Sequence, residues 1–136
     1  MSRLFHGGEA ISPARVLIVE DDELTALVER AALEAAGFDV EDVRTAEAAL
    51  TRLEAAAFDA MVLDLVLPGL RGDDLLRTLS PEHRAKMPVL IVSGYDDPGQ
   101  IASLLGQGAA DYLVKDSGLR FFELLVQRVS AIIAKR

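Results

Sequence analysis

Residues 16–23 read VLIVEDDE: four consecutive apolar residues, Val16 to Val19, run straight into Glu20 and Asp21. An apolar run without alternation reads as a strand buried on both faces of a parallel sheet. Such sheets gather their functional groups outside the carboxyl ends of the strands. The arrangement recurs three times along the chain. Ala60 to Leu63 ends at Asp64, Val89 to Val92 ends at Ser93, and Asp111 to Val114 is followed by Lys115. Glu20, Asp21, Asp64, Ser93 and Lys115 are therefore expected on one rim.

Between these runs the spacing changes to a helical period. Asp22 to Ala36 carries Leu24, Leu27, Val28, Ala31 and Ala35 at helical spacing until Gly37 supplies a C-cap. Phe38 to Val43 alternates, which suggests an edge strand, and Thr45 is an N-cap candidate for an alanine-rich helix to about Ala56. After Asp64, Leu65 to Arg71 with Pro68-Gly69 reads as a turn into a helix near Gly72 to Leu79, and Ser80-Pro81 breaks the chain again. Asp97-Pro98 reads as an N-cap with proline at the first helical position, and a last helix spans about Leu119 to Ala134. Five strands alternating with five helices, joined by right-handed crossovers, give an α/β fold: a three-layer, doubly wound, five-stranded parallel sheet. The flavodoxin-like order 2-1-3-4-5 is its common solution, with the switch point between the first and third strands.

Composition narrows the function. The 136 residues fit one domain, and an apolar content of 51% is enough for a core between helices. No cysteine is present, so disulfides and thiolate metal sites are excluded, and the two histidines, His6 and His83, lack ligand spacing. This suits a reducing, cytoplasmic setting. A formal charge of −8 opposes direct binding to nucleic acid. The first fourteen residues lack the apolar stretch of a signal peptide, and no run is long enough for a membrane span. The expectation is a soluble protein with a flexible arm over residues 1–14 and one domain over 15–136.

The chemistry at the rim follows from its residue types. Glu20, Asp21 and Asp64 would repel one another unless a cation intervenes. Magnesium takes hard oxygen ligands and typically pairs one or two carboxylates with a phosphate. A carboxylate cluster with one lysine and one hydroxyl suits phosphoryl transfer, with Asp64 as nucleophile, the metal and Lys115 neutralising phosphoryl oxygens, and Ser93 as a further donor. A carboxylate needs no general base, so the lack of a placed histidine is expected.

The segments VLIVEDDE, MVLDLVLPGLRG, PVLIVSG and GAADYLVKD, in this order and spacing, resemble the receiver domain of bacterial two-component response regulators, chemotaxis regulators among them. The resemblance spans about Arg15 to Arg136. It implies Glu20 and Asp21 as the acidic pair, Asp64 as phospho-acceptor, Ser93 as switch hydroxyl, Lys115 as phosphoryl-binding lysine and Tyr112 as rotating aromatic. It further implies Mg2+ held by Glu20, Asp21, Asp64 and the backbone carbonyl of Val66. The implied donor is a histidine kinase or histidine phosphotransfer protein. The implied output runs through a downstream protein or fused domain contacted by the fourth helix, fifth strand and fifth helix. Such a domain is a switch and catalyses only its own phosphorylation and dephosphorylation.

One position departs from the family. Its lysine is usually followed by proline in a cis peptide, whereas Asp116 follows Lys115 here. A cis bond before a non-proline residue costs about 2.5–4 kcal/mol, so a trans bond is expected.

Other readings remain open. A phosphatase or phosphotransferase of the haloacid dehalogenase type would carry an acid or threonine two residues beyond the nucleophile, where Val66 stands. A flavodoxin would need a glycine- and hydroxyl-rich phosphate loop in place of the acids after the first strand. A receiver-shaped module working without phosphorylation, or a receiver from a larger sensor kinase or regulator, also fits. In the last helix Phe122, Leu125, Val126, Val129, Ile132 and Ile133 form one stripe, which leaves Phe121 and Leu124 expected near solvent, where a partner or a second copy could cover them.

Overall fold

The computed structural model describes residues 12–136 throughout, together with Phe5–His6 and Glu9–Ala10, which pair as a short antiparallel ladder. The expected arm over residues 1–14 thus falls largely outside the described residues. The main sheet consists of β1 (Arg15–Val19), β2 (Asp39–Val43), β3 (Ala60–Asp64), β4 (Val89–Ser93) and β5 (Asp111–Val114). All neighbours are parallel and the order is β2-β1-β3-β4-β5, so the expected 2-1-3-4-5 topology holds and the alternating strand is at an edge.

Among the described residues, six helices connect and cover the sheet: α1 (Glu23–Ala35), α2 (Ala46–Ala55), α3 (Gly72–Thr78), α4 (Pro81–Lys86), α5 (Pro98–Gly106) and α6 (Leu119–Lys135). The short α4 is an addition to the five expected. Ser80-Pro81 does break α3, but it also starts a new turn of helix, because the Ser80 hydroxyl accepts from the His83 N–H and proline is tolerated at the first helical position. The expected caps at Asp22, Thr45 and Asp97 are all present, each side chain accepting from the N–H three residues on. Gly37 closes α1 at φ 98°, a conformation open to glycine.

Alternate residues of the strands build two cores. Leu17, Val19, Met61, Leu63, Val89 and Ile91 pack with Ala46 and Ala49 of α2, Leu75 and Leu76 of α3 and Leu104 of α5. Val16, Ile18, Val40, Val62, Leu90 and Val92 pack on the other face with Leu33 of α1 and Phe121, Leu125, Val129 and Ile132 of α6. A fully buried side chain of this size contributes about 1.5–3 kcal/mol.

Two helix faces differ from their sequence reading. Phe121 is buried at 3% exposure and Leu124 is half-buried, while Phe122 is half-buried and meets the Phe121 ring edge-on at 5.0 Å. The inward face of α6 is therefore rotated toward Phe121, because the helix packs across both the sheet and α1. In α1 the stripe Leu24, Leu27, Val28, Ala31 and Ala35 faces outward, and the buried residues are Ala26, Glu29 and Leu33. No helix among the described residues is long and apolar enough to cross a membrane.

Candidate functional site

Three strands end in the same local device. The side chain of the last polar residue turns back and accepts a hydrogen bond from the backbone N–H two residues on: Glu20 Oε2 from Asp22 at 3.1 Å, Asp64 Oδ1 from Val66 at 3.1 Å, and Ser93 Oγ from Tyr95 at 3.3 Å. Short polar side chains at strand ends satisfy the loop backbone in this way, which also fixes their own direction. The sheet ladder extends into the site. The Glu20 N–H donates to Val43 O at 3.0 Å and the Lys115 N–H donates to Ser93 O at 2.7 Å. The residues at these strand ends are thus held by bonds to the main chain of the scaffold.

Strand register then brings them together. Asp64 is opposite Val92, and Ser93 is opposite Val114, the residue before Lys115. One carboxylate oxygen from each of Glu20, Asp21 and Asp64 lies within 4.8 Å of the others. The ammonium of Lys115 donates to Glu20 Oε1 at 2.6 Å and lies 3.4 Å from Asp64 Oδ2. Glu20 and Asp64 are buried at 2% and 7% exposure, Ser93 is buried, and Asp21 stands exposed at the mouth. The cluster offers hard oxygen donors at metal-binding separation, which fits a magnesium ion.

Electrostatics agree with this crowding. Loss of hydration, reinforced by a hydrogen bond and the charge of Glu20, raises the Asp21 carboxyl above its ordinary pKa. For Lys115, burial works against the charge, but the Glu20 hydrogen bond and the charges of Asp64 and Glu20 outweigh it and raise its pKa. The lysine is a fixed cation between two acids. The peptide bond from Lys115 to the exposed Asp116 is trans, as expected.

Tyr112 is buried beneath the rim, and its hydroxyl donates to Tyr95 O at 2.6 Å. Tyr95 in turn bonds Ser93, so the hydroxyl at the end of β4 and the aromatic of β5 share one loop residue. Val66 and Tyr95, two residues beyond Asp64 and Ser93 respectively, are both exposed. Glu20, Asp21, Asp64 and Lys115 therefore meet in one cluster, and Ser93, Tyr95 and Tyr112 form a hydrogen-bonded chain at the ends of β4 and β5.

Two residues had no signal in the sequence reading. Gly72 opens α3 against the backbone at the end of β3, and a Cβ there would lie 2.2 Å from Asp64 O. Glu29, at 1% exposure, lies under the site with its Oε2 unpartnered, and burial plus the charges of Glu20 and Asp64, against that of Lys115, push its carboxyl up to about 8. A glycine after a turn looks like any other, and an acid on an amphipathic helix reads as a solvent residue.

Known proteins share this chain's pattern. The family model for the response regulator receiver domain matches residues 16–128. The transcriptional activator protein IrlR of Burkholderia pseudomallei is 36% identical over 121 residues, covering 89% of this chain and 51% of that protein. The phosphate regulon transcriptional regulatory protein PhoB of Rhizobium meliloti is 33% identical over 103 residues, covering 74% and 45%. The chain spans about half the length of the curated relatives it matches. Among solved structures, the receiver domain of the Francisella response regulator 1452 aligns with a TM-score of 0.81 at 27% identity, over 90% of this chain and 98% of that one. The receiver domain of a signal transduction histidine kinase from Syntrophus aciditrophicus aligns at 0.78 and 27%, over 90% and 91%. With its parallel sheet, its acid cluster and this match over most of its length, the chain belongs to the response regulator receiver domain family of two-component systems.

Proposed function

We propose that Asp64 accepts a phosphoryl group from the phosphohistidine of a histidine kinase or histidine phosphotransfer protein. The observation that carries this reading is the placement of the Asp64 carboxylate among Glu20, Asp21 and Lys115, with Lys115 Nζ 3.4 Å from its Oδ2. An Asp64 oxygen bonds to phosphorus as the P–N bond to the donor imidazole breaks, and the nitrogen leaves with the electron pair. Glu20, Asp21, Asp64 and the Val66 carbonyl would hold Mg2+, which supplies charge neutralisation for the phosphoryl oxygens. Lys115 neutralises a further oxygen.

The readout uses Ser93 and Tyr112. Ser93 turns toward the phosphoryl group, and Tyr112, already buried and tied to Ser93 through Tyr95, shifts with it. The surface that changes is the face of α5, β5 and α6, where Tyr95, Leu105 and Val114 are exposed to a partner protein or a fused output domain. In this role the domain acts on its own aspartate only.

The test is the intact mass of the wild type and Asp64→Ala after incubation with acetyl phosphate, with and without magnesium. A metal-dependent gain of about 80 Da in the wild type alone is the expected result. A folded, magnesium-binding wild type that gains nothing would point instead to an interaction module working without phosphorylation.

A further inference from the structure

Helix α1 is docked with its faces reversed. Leu24 and Leu27 are 68% and 61% exposed, and Val28, Ala31 and Ala35 share their side. At 3.6 residues per turn, Ala26, Glu29 and Leu33 occupy the opposite side, and they are buried. Leu33 lies in the apolar layer formed with Val92, Phe121, Leu125 and Val129, so Glu29 is held on the same inward face among hydrocarbon. Glu29 Oε2 is the one buried side-chain nitrogen or oxygen without a hydrogen-bond partner among the described residues. A carboxylate in that state is costly, whereas a protonated acid is tolerated.

The charges around Glu29 favour the protonated form. Glu20 at the end of β1 and Asp64 at the end of β3 oppose ionisation, and Lys115 after β5 is the cation in range, already engaged by Glu20. On β2, Asp42 is taken up by Arg30 and Arg44, and the inward side of α6 is apolar. Oε2 of Glu29 makes no hydrogen bond to the site acids.

We propose that α1 is a proton-locked element, docked on the sheet with Glu29 inward while that carboxyl holds its proton and loosened from the sheet when the proton is lost. The outward stripe makes the second arrangement accessible. Once Glu29 turns to water, Leu24, Leu27 and Val28 can take its place against the core, so the helix has two packings where an ordinary amphipathic helix has one. The consequence reaches the rim, because Asp22 caps α1 and its N–H holds Glu20. Loosening α1 therefore disturbs the acid pair. The inference stands on the burial and orientation of the helix and holds whether or not Asp64 is phosphorylated.

Amide hydrogen exchange of the metal-free full chain, resolved by element and corrected for intrinsic rates, tests it between pH 5.5 and 9. A carboxyl with an ordinary pKa when released and about 8 when docked makes the opening of α1 rise about tenfold per pH unit up to about pH 8 and level off above it. Protection of α1 is expected to fall by that factor in the wild type and to stay flat in Glu29→Gln and Glu29→Leu. The leucine variant replaces the acid with a residue suited to the site should the amide variant fold poorly. A wild-type α1 whose protection follows pH no more steeply than either variant overturns the proposal. So does a loss of protection in β1, β3 and α6 in step with α1, which would mark whole-domain opening.

Discussion

The ammonium of Lys115 donates to Oε1 of Glu20 at 2.6 Å, joining two residues 95 positions apart across the mouth of the sheet. Glu20 is almost fully buried, so this bond holds a charged acid where water cannot. Replacing Lys115 by methionine should cost about 1–3 kcal/mol of stability, since the Glu20 carboxylate loses its charged partner. It should also slow phosphoryl uptake from acetyl phosphate by more than tenfold. Urea denaturation and intact mass measure the two effects, and an unchanged urea midpoint would mean that the pair does not form in solution.

Gly72 should tolerate no side chain. A Cβ 2.2 Å from Asp64 O and 2.9 Å from Leu65 Cα forces α3 away from the acceptor strand. Gly72→Ala is expected to lose about 1–3 kcal/mol, as overpacking does, and to take up phosphate more slowly than the wild type. A variant with wild-type stability and rate would show that the helix start yields freely.

Stability should fall as pH rises, through Glu29. Its folded pKa of about 8 lies above the unfolded value of 4.5, so between these limits the native state holds a proton that the unfolded state has released. The contribution is fully present below about pH 4.5 and is lost at about 1.4 kcal/mol per unit until pH 8. Glu29→Leu should therefore be more stable than the wild type by roughly 3 kcal/mol at pH 7, with a flatter stability profile. Urea melts across pH 5 to 9 check both the slope and the offset.

Magnesium should stabilise the fold through the acid cluster. At a concentration one hundred times its dissociation constant, a ligand that binds only the native state adds about 2.7 kcal/mol. Asp21 is exposed, so Asp21→Ala should fold normally and lose most of the magnesium-dependent rise in melting temperature. An equal rise in the variant would place the ion elsewhere.

The aspartyl phosphate should be long-lived: Val66 and Tyr95 follow Asp64 and Ser93 by two residues and are exposed, and their bulk there would restrict attack by water. Val66→Asn, which can orient a water, should shorten the lifetime by several-fold in a phosphate-release assay. A lifetime equal to that of the wild type removes the role assigned to Val66.

The sequence by itself determined the strands, their order and the rim. Four of the five strands are short, mainly apolar runs followed by a polar residue, and this signal is local: Val16–Val19, Ala60–Leu63, Val89–Val92 and Asp111–Val114 need no knowledge of their neighbours, while Asp39–Val43 shows itself by alternation. The caps at Asp22, Thr45 and Asp97 are legible for the same reason, since each bond spans three residues. Tertiary structure alone decided the phase of the helices. The apolar stripe of α1 marks a helix correctly, yet the side that meets the sheet is set by the crossover geometry and by α6, which brings Glu29 inward and leaves Leu24 and Leu27 in water. Phe121 is buried for the same reason, because α6 must fit two surfaces at once and a helical wheel describes only one. The packing of Gly72 against the Asp64 carbonyl, which leaves no room for a Cβ, and the bond from Lys115 to Glu20 likewise join residues that are distant along the chain or packed by the fold. Periodicity encodes which residues lie on one side of an element, and packing chooses which side is covered.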